Sequence, residues 1–301
     1  MKTLVLGHRG MVGGAILRAL DRDQKPMHKH SADFDLSCYG ETKDYLSRVE
    51  RGDIVILCAA RVGGIGANMA RPAEFIRDNL LIAANVIHAC HEASAKLVYL
   101  GSSCIYPRDA KQPITEDVLM TGPLEPTNAP YATAKIAGIQ MLDAYRRQYG
   151  MQSLILMPCN LYGPGDNFDL ETGHVLPSLI RRFVEAKESG ADHVTLWGTG
   201  NARREFMHVD DLANAALHLV DKGSTGMVNV GTGEDWPISD LADIIAVETE
   251  YEGCIEYDSE RPDGTPRKLL DVSKLMASGW FGARPLSQGI RETVEWYKAN
   301  R

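Results

Sequence analysis

The chain has 301 residues, of which 44% are hydrophobic and 24% charged, and its formal net charge is −8. That balance fits one large or two modest folded domains and excludes a disordered or fibrous polymer. The acidity argues against a nucleic-acid or anionic-membrane protein, although a small anion needs only a few local cations.

The longest apolar run, Ile54 to Ala60, is far too short to cross a bilayer, and Met1 to Gly7 lacks the length of a secretory signal. Cys38, Cys58, Cys90, Cys104, Cys159 and Cys254 form no C-x-x-C pair. Reduced thiols and a cytoplasmic location are expected.

In chain order, Thr3 to Leu6 reads as a short strand. Met11 to Leu20 reads as a helix, with Val12, Ile16 and Leu20 on one face. Between them lies Gly7-His8-Arg9-Gly10-Met11-Val12-Gly13. Glycines there permit a tight turn and close backbone approach, and a helix N-terminus attracts a pyrophosphate. A glycine loop at the head of a strand–helix series predicts a dinucleotide site. The second strand is read at Lys25 to His30. Its end carries His28, Lys29 and His30 in place of the acid that would bind a ribose 2′-hydroxyl. With Arg9, this cationic rim favours NADP. Asp35 and Leu36 follow at a spacing suited to the adenine.

Asp53 to Cys58 and Lys96 to Leu100 read as buried strands, with a helix over Glu74 to Glu92 between them. His88, Cys90 and His91 lie close on that helix, but only the histidines share a face and no third ligand is in view, so no metal site is predicted. Gly101-Ser102-Ser103-Cys104 closes the next strand, and the chemistry of doubly wound sheets gathers at the carboxyl ends of strands. Ser102 or Ser103 is suited to hydrogen-bond a substrate carbonyl. Ala132 to Tyr149 is a long helix ended by Gly150. Tyr131 and Lys135 fall at i, i+4 on one face. At ~4 Å and an effective dielectric of ~20, an ammonium favours a phenolate by about 4 kcal/mol, or roughly 3 pKa units. The expectation is a phenol drawn toward neutrality that serves as general acid or base.

Ser153 to Met157 is a strand stopped by Pro158. Beyond it come loops at 163–173, 198–203 and 260–267, helices near 175–188, 210–221 and 238–249, and strands at 194–197 and 226–230. Strands alternating with helices, without polar alternation, predict an α/β chain with a Rossmann-type doubly wound parallel sheet.

Several segments carry a resemblance over nearly the whole chain. They are Gly7 to Gly13, Val62-Gly63-Gly64-Ile65, Gly101-Ser102-Ser103-Cys104-Ile105-Tyr106-Pro107 and Leu124-Glu125-Pro126-Thr127-Asn128 leading to Tyr131. Asn160-Leu161-Tyr162-Gly163-Pro164, Arg204 to Asp211 and Pro262 to Asp271 complete the set. The chain resembles the extended short-chain dehydrogenase/reductases that modify nucleotide sugars, in the branch that epimerises and reduces GDP-4-keto-6-deoxy sugars. The resemblance implies a reductase triad of Ser102, Tyr131 and Lys135. It implies Cys104 as the base beside the keto group and His174 as the acid on the opposite face. Elementary chemistry concurs, because epimerisation beside a ketone needs an acid–base pair and a donor to the enolate oxygen.

The resemblance further implies NADPH contacts from Gly7, His8, Arg9, Gly10, Met11, Val12 and Gly13. Lys29, His30, Asp35, Leu36, Ala59, Ala60, Leu100 and Gly101 join them, with Tyr131, Lys135, Pro158, Asn160, Leu161 and His174. For the GDP-sugar it implies Ser103, Arg182, Trp197, Arg204 and Lys268, and for the assembly a homodimer through a four-helix contact. The expected domains are one for NADP, residues 1–160 plus 205–235, and a smaller discontinuous α/β one for the sugar, residues 161–204 plus 236–301. The expected reaction takes GDP-4-keto-6-deoxy-D-mannose through C3/C5 epimerisation and C4 reduction to GDP-L-fucose. A colitose-type or 6-deoxy-heptose substrate would use the same residues. A non-catalytic dinucleotide sensor is the reading from another class, and the intact Ser102, Cys104, Tyr131, Lys135 and His174 argue against it. Gly165 and Arg61 depart from the pattern, where a bulkier polar residue and a lysine are usual.

Overall fold

The structure is a computed structural model and describes residues 1–27, 34–261 and 263–301. The chain opens with β1 (Thr3–Leu6), α1 (Met11–Arg22), α2 (Tyr39–Leu46), β2 (Ile54–Leu57), α3 (Ile65–Ala70), α4 (Pro72–Glu92) and β3 (Lys96–Leu100). α5 (Ala129–Tyr149), β4 (Ser153–Pro158), β5 (Asn160–Tyr162), α6 (Val175–Ser189) and β6 (His193–Trp197) follow. Next come β7 (Arg203–Arg204), β8 (Phe206–His208), α7 (Val209–Asp221) and β9 (Gly226–Val230). The last elements are β10 (Trp236–Pro237), α8 (Ile238–Thr249), β11 (Cys254–Asp258), β12 (Arg267–Lys268), α9 (Ser273–Ala277) and α10 (Leu286–Asn300).

β1, β2 and β4 are buried at every position, which is why they read as continuous aliphatic runs. They form a five-stranded sheet in the order β1-β2-β3-β4-β9, with every pairing parallel. α1 packs on α7 and α4 on α5, and these pairs cover the sheet. The sheet is thus the Rossmann-type layer expected. Of the strand expected at 25–30, Met27 bridges Thr3 on the outer side of β1, while 28–30 lie outside the described residues. The chain therefore leaves β1 in one direction and returns to β2 in the other. That reversal opens a crevice at the carboxyl ends of β1 and β2.

A second apolar core gathers Tyr162, Ile180, Phe183, Phe206, Leu241, Ile245, Ile290 and Val294 from β5, β8, α6, α8 and α10. Three small sheets frame it, β11-β6, β5-β8 and the three-stranded β10-β7-β12. The larger core also takes in Leu270, Val272, Leu275 and Trp280 from late in the chain.

Candidate active site

The glycine loop divides into glycines the fold requires and one it does not. Gly7 has φ +83°, and a Cβ on it would lie 2.5 Å from the Ala59 nitrogen. A Cβ on Gly13 would lie 2.3 Å from the Gly7 carbonyl oxygen. Gly10 is exposed at the N-cap of α1, and a Cβ there would meet only the Gly7 oxygen, at 3.5 Å. No side chain caps α1 and no acid occupies its first turn. Bare N–H groups at a positive dipole end, behind a residue with no side chain, fit a dinucleotide pyrophosphate. His8, Arg9, Met11 and Val12 surround this point, and Gly165, with φ +86°, brings the loop after β5 over Met11. The glycine at 165 thus permits a positive-φ turn beside the cofactor loop.

Ala59 and Ala60 follow β2 and are half-buried. Leu36 accepts a hydrogen bond from Asn85 of α4 at 2.9 Å. Asp35 accepts from the Ser37 amide and hydroxyl, both at 2.8 Å, and these bonds hold its carboxyl below the usual range. Lys29 and His30 lie outside the described residues. Pro158 is buried at the end of β4, Asn160 donates its amide and side-chain nitrogens to the Glu205 carbonyl at 3.3 and 3.0 Å, and Leu161 packs on the larger core.

β3 delivers Leu100 and Gly101 to a tight turn. A Cβ on Gly101 would lie 2.3 Å from the Met157 sulfur, so a larger residue here would have to displace that buried side chain. Ser102 then opens a turn of 3₁₀ helix. Its hydroxyl accepts from the Cys104 amide at 3.3 Å and donates to the Cys104 Sγ at 3.1 Å. Ser103 is 3% exposed, whereas Ser102 and Cys104 keep more solvent access. Asn128, at the N-cap of α5, donates from Nδ2 to the Cys104 carbonyl at 3.3 Å. The sequence assigns Asn128 no role, since nothing local pairs it with a residue 24 positions away.

α5 approaches β3 closely because Gly138 faces Tyr99, where a Cβ would lie 2.5 Å from the phenol oxygen. Lys135 therefore reaches through and donates Nζ to the Leu100 carbonyl at 2.8 Å. The ammonium is 5.0 Å from the Tyr99 ring centroid and 5.9 Å from that of Tyr131. Burial lowers the Lys135 pKa to about 8, against the opposing pull of Cys104 and Cys58. Tyr131 departs from expectation. Burial, followed by the charges of Cys104 and Tyr99, holds its phenol well above 10. The two residues do share a helix face, but Lys135 spends its proton on a carbonyl and desolvation decides the phenol's state. Tyr131 is consequently a protonated donor.

His174 stands at the N-cap of α6. Asp169 shapes the loop before it by accepting from the Thr172 amide and hydroxyl, both at 2.8 Å, and Gly64 donates its amide to the Thr172 carbonyl at 3.0 Å. The imidazole is solvent-accessible yet walled by protein, and this desolvation lowers its pKa. Farther along α6, Arg182 donates to the Thr195 carbonyl of β6 at 3.2 Å. Trp197 ends β6 with 64% of its surface exposed and the Arg261 guanidinium 5.1 Å over its ring.

Residues distant in sequence supply the cations. β12 runs parallel to β7 with Lys268 opposite Arg204. Arg204 donates to the carbonyls of Arg203 and Thr265. Burial lowers the pKa of both cations, and Lys268 lies within the electrostatic reach of Cys104 and Glu125. Arg61 stays away from this group. It pairs with Glu74 and Asp78 on α4, so its charge serves that helix. Among the described residues no cluster of His, Cys, Asp and Glu suits a metal ion, and no helix is long and apolar enough to cross a membrane.

A cysteine touching a hydroxyl, a protonated phenol and a nearby ammonium can, as the thiolate, take a proton from the carbon beside a carbonyl while the phenol donates to the carbonyl oxygen. Known proteins are similar to the chain over nearly its whole length. The profile of the NAD dependent epimerase/dehydratase family matches residues 3–231. "GDP-L-fucose synthase 1" of Arabidopsis thaliana is 49% identical over 99% of this chain and 94% of its own. The structure of a GDP-6-OMe-4-keto-L-xylo-heptose reductase from C. jejuni superposes with a TM-score of 0.90 at 32% identity, covering 100% of this chain and 98% of the other. That of a GDP-L-fucose synthetase from Naegleria fowleri bound to NADP gives 0.89 at 27%, covering 99% and 94%. The chain belongs to the NAD dependent epimerase/dehydratase family, the extended short-chain dehydrogenase/reductases, and within it to the group of the GDP-L-fucose synthases.

Proposed function

We propose that this chain converts GDP-4-keto-6-deoxy-D-mannose to GDP-L-fucose, by epimerisation at C3 and C5 followed by reduction at C4. The observation that carries the reading is the Ser102–Cys104 contact of 3.1 Å, set beside a buried Tyr131 on the family's dinucleotide fold. NADPH, when bound, supplies the hydride for C4. Gly7 to Gly13 with α1 hold its pyrophosphate, and the Asp35-Leu36 and Ala59-Ala60 segments border its adenosine.

Cys104 removes the proton beside the ketone. Ser102 and Tyr131 donate to the ketone oxygen and stabilise the enolate that develops there. His174 returns a proton to the opposite face of the carbon. Tyr131, still protonated, then gives its proton to the C4 oxygen, and Lys135, bonded to the Leu100 carbonyl, sets a positive charge on the same helix face as the phenol. Arg182, Arg204 and Lys268 face the diphosphate or sugar, with Trp197 near the nucleotide.

The sugar domain of this reading comprises residues 161–204 plus 236–301, and the NADP domain comprises residues 1–160 plus 205–235. A homodimer through α4 and α5 fits the exposed Leu80, Leu81 and Tyr149 on those helices, and a cytoplasmic location fits the chemistry. The deciding test is product mass after turnover in D2O with NADPH. Two solvent deuteriums in the reduced product are expected. One deuterium would assign a single-epimerisation enzyme of the colitose kind, and absence of reduction would overturn the reading.

A further inference from the structure

The strands that present Arg204 and Lys268 are only two residues long. So short a pairing has little stability of its own, and this one places four cations side by side. Arg203 faces Arg267 and Arg204 faces Lys268 in the parallel register. Like charges directly opposite each other across a sheet are destabilising. Something must offset this repulsion if the pair is to keep its spacing.

Asp235 is placed to do so. Successive side chains of a strand point to opposite faces. Arg203 and Arg267 therefore share the face behind Arg204 and Lys268, and both border a separate cavity of about 360 Å³ that neither Arg204 nor Lys268 lines. The Asp235 carboxylate sits between them, 3.0 Å from Arg203 Nε and bonded to Arg267 Nε, with its side chain 5% exposed. Its carbonyl takes a further bond from Arg203 at 2.7 Å. Asp235 also leads directly into β10, which pairs antiparallel with β7 and closes the third side of the sheet. Burial pushes its carboxyl up, and the bonds from Arg267 and Arg203 more than offset this, so the group is a carboxylate at neutral pH.

We propose that Asp235 is a positioning residue for the sugar-nucleotide substrate. From behind the sheet it neutralises Arg203 and Arg267 and so fixes the spacing at which Arg204 and Lys268 meet an anionic diphosphate sugar. The inference rests on the substrate reading above. It assigns substrate affinity to a side chain that does not touch the substrate.

The test compares Asp235→Asn and Asp235→Glu with Arg204→Met and Lys268→Met in the full chain. The readouts are KM for the GDP-sugar, kcat, inhibition by GDP, and NADPH affinity from its fluorescence. Asp235→Asn is expected to raise KM and the GDP inhibition constant about tenfold or more. It should leave kcat within about threefold and NADPH affinity unchanged. Asp235→Glu, which keeps the charge, should recover some of the loss. An unchanged KM in Asp235→Asn, while Arg204→Met raises it, overturns the role of Asp235 alone. Equal losses of GDP-sugar and NADPH affinity would reduce Asp235 to a general stability residue and overturn it too. If neither Arg204→Met nor Lys268→Met alters KM, the substrate reading of these cations fails first.

Discussion

An ammonium buried among Tyr99, Tyr131 and the Leu100 carbonyl works against the fold that contains it. Lys135 has a folded pKa of about 8 against an ordinary 10.5, so the unfolded chain binds more protons between those values. Stability contributed at this site is lowest below pH 8 and rises as pH climbs toward 10.5. Replacing Lys135 with Met should abolish reduction yet raise stability at pH 7 by up to about 3 kcal/mol, read by urea unfolding. A destabilised variant would mean that the bond to Leu100 outweighs desolvation. Tyr131→Phe should lower reduction by roughly 10²- to 10⁴-fold, read from the rate of NADPH consumption, because the proton donor to the C4 oxygen is removed while the ring is kept. Asp166 carries the opposite kind of shift. Burial raises its carboxyl from 3.8 to about 7, with one oxygen enclosed and unpartnered. Its contribution is fully present below pH 3.8 and is lost as pH rises through 7. Asp166→Asn should therefore stabilise the chain more at pH 8 than at pH 5, with no further gain above 8. Thermal melts at the two pH values decide it.

At the scale of elements, the glycine loop makes a graded prediction. Gly7→Ala and Gly13→Ala drive a Cβ into backbone and should lower stability by several kcal/mol, whereas Gly10→Ala makes only an ordinary van der Waals contact with the Gly7 oxygen and should fold normally. Gly10→Ala should still weaken NADPH binding about tenfold or more by obstructing the end of α1. Normal cofactor affinity in that variant would move the pyrophosphate elsewhere. Elements with a local signal were legible in the sequence. β3, β9 and α8 fall at the residues expected, and α5 stops at Gly150, whose φ is +69°. α10 carries helical apolar spacing but no capping side chain to mark its start. Its apolar stripe of Ile290, Val294 and Tyr297 is interrupted by Gly289, which is there because Tyr162 packs so closely that a Cβ would lie 2.2 Å from its hydroxyl. β7, β10 and β12 are silent, since two-residue strands exist only through their partners. The site divides along the same line. Ser102 and Cys104 are neighbours in sequence and touch. The approach of Lys268 to Arg204, Asn128 to Cys104, and Lys135 to a carbonyl in place of a phenol depends on contacts that no spacing encodes.

For the whole molecule, Asp211 and Arg284 join the larger core to the segment that opens α10. The guanidinium lies 3.0 Å from the carboxylate, the Arg284 amide donates to the same group at 2.9 Å, and Glu292 of α10 completes the cluster. Removing Asp211 takes away the buried carboxylate that binds both the guanidinium and the amide of Arg284 and leaves only the more exposed Glu292 as its partner, so Asp211→Ala should cost about 3 kcal/mol. If the two cores unfold together, one transition should shift. Two separated transitions would show that the two cores unfold independently of one another. The placement of Leu270, Val272, Leu275 and Trp280 in one core, and of Ile290 and Val294 in the other, bears also on how the chain is made. A ribosome finishes every strand of the central sheet by Val230, yet the larger core waits for Leu270 to Trp280 and the second core for α10. The nascent chain must hold a complete set of sticky sheet strands in waiting, and a messenger cut short just before the codons of α10 encodes the larger core without the residues that close the second.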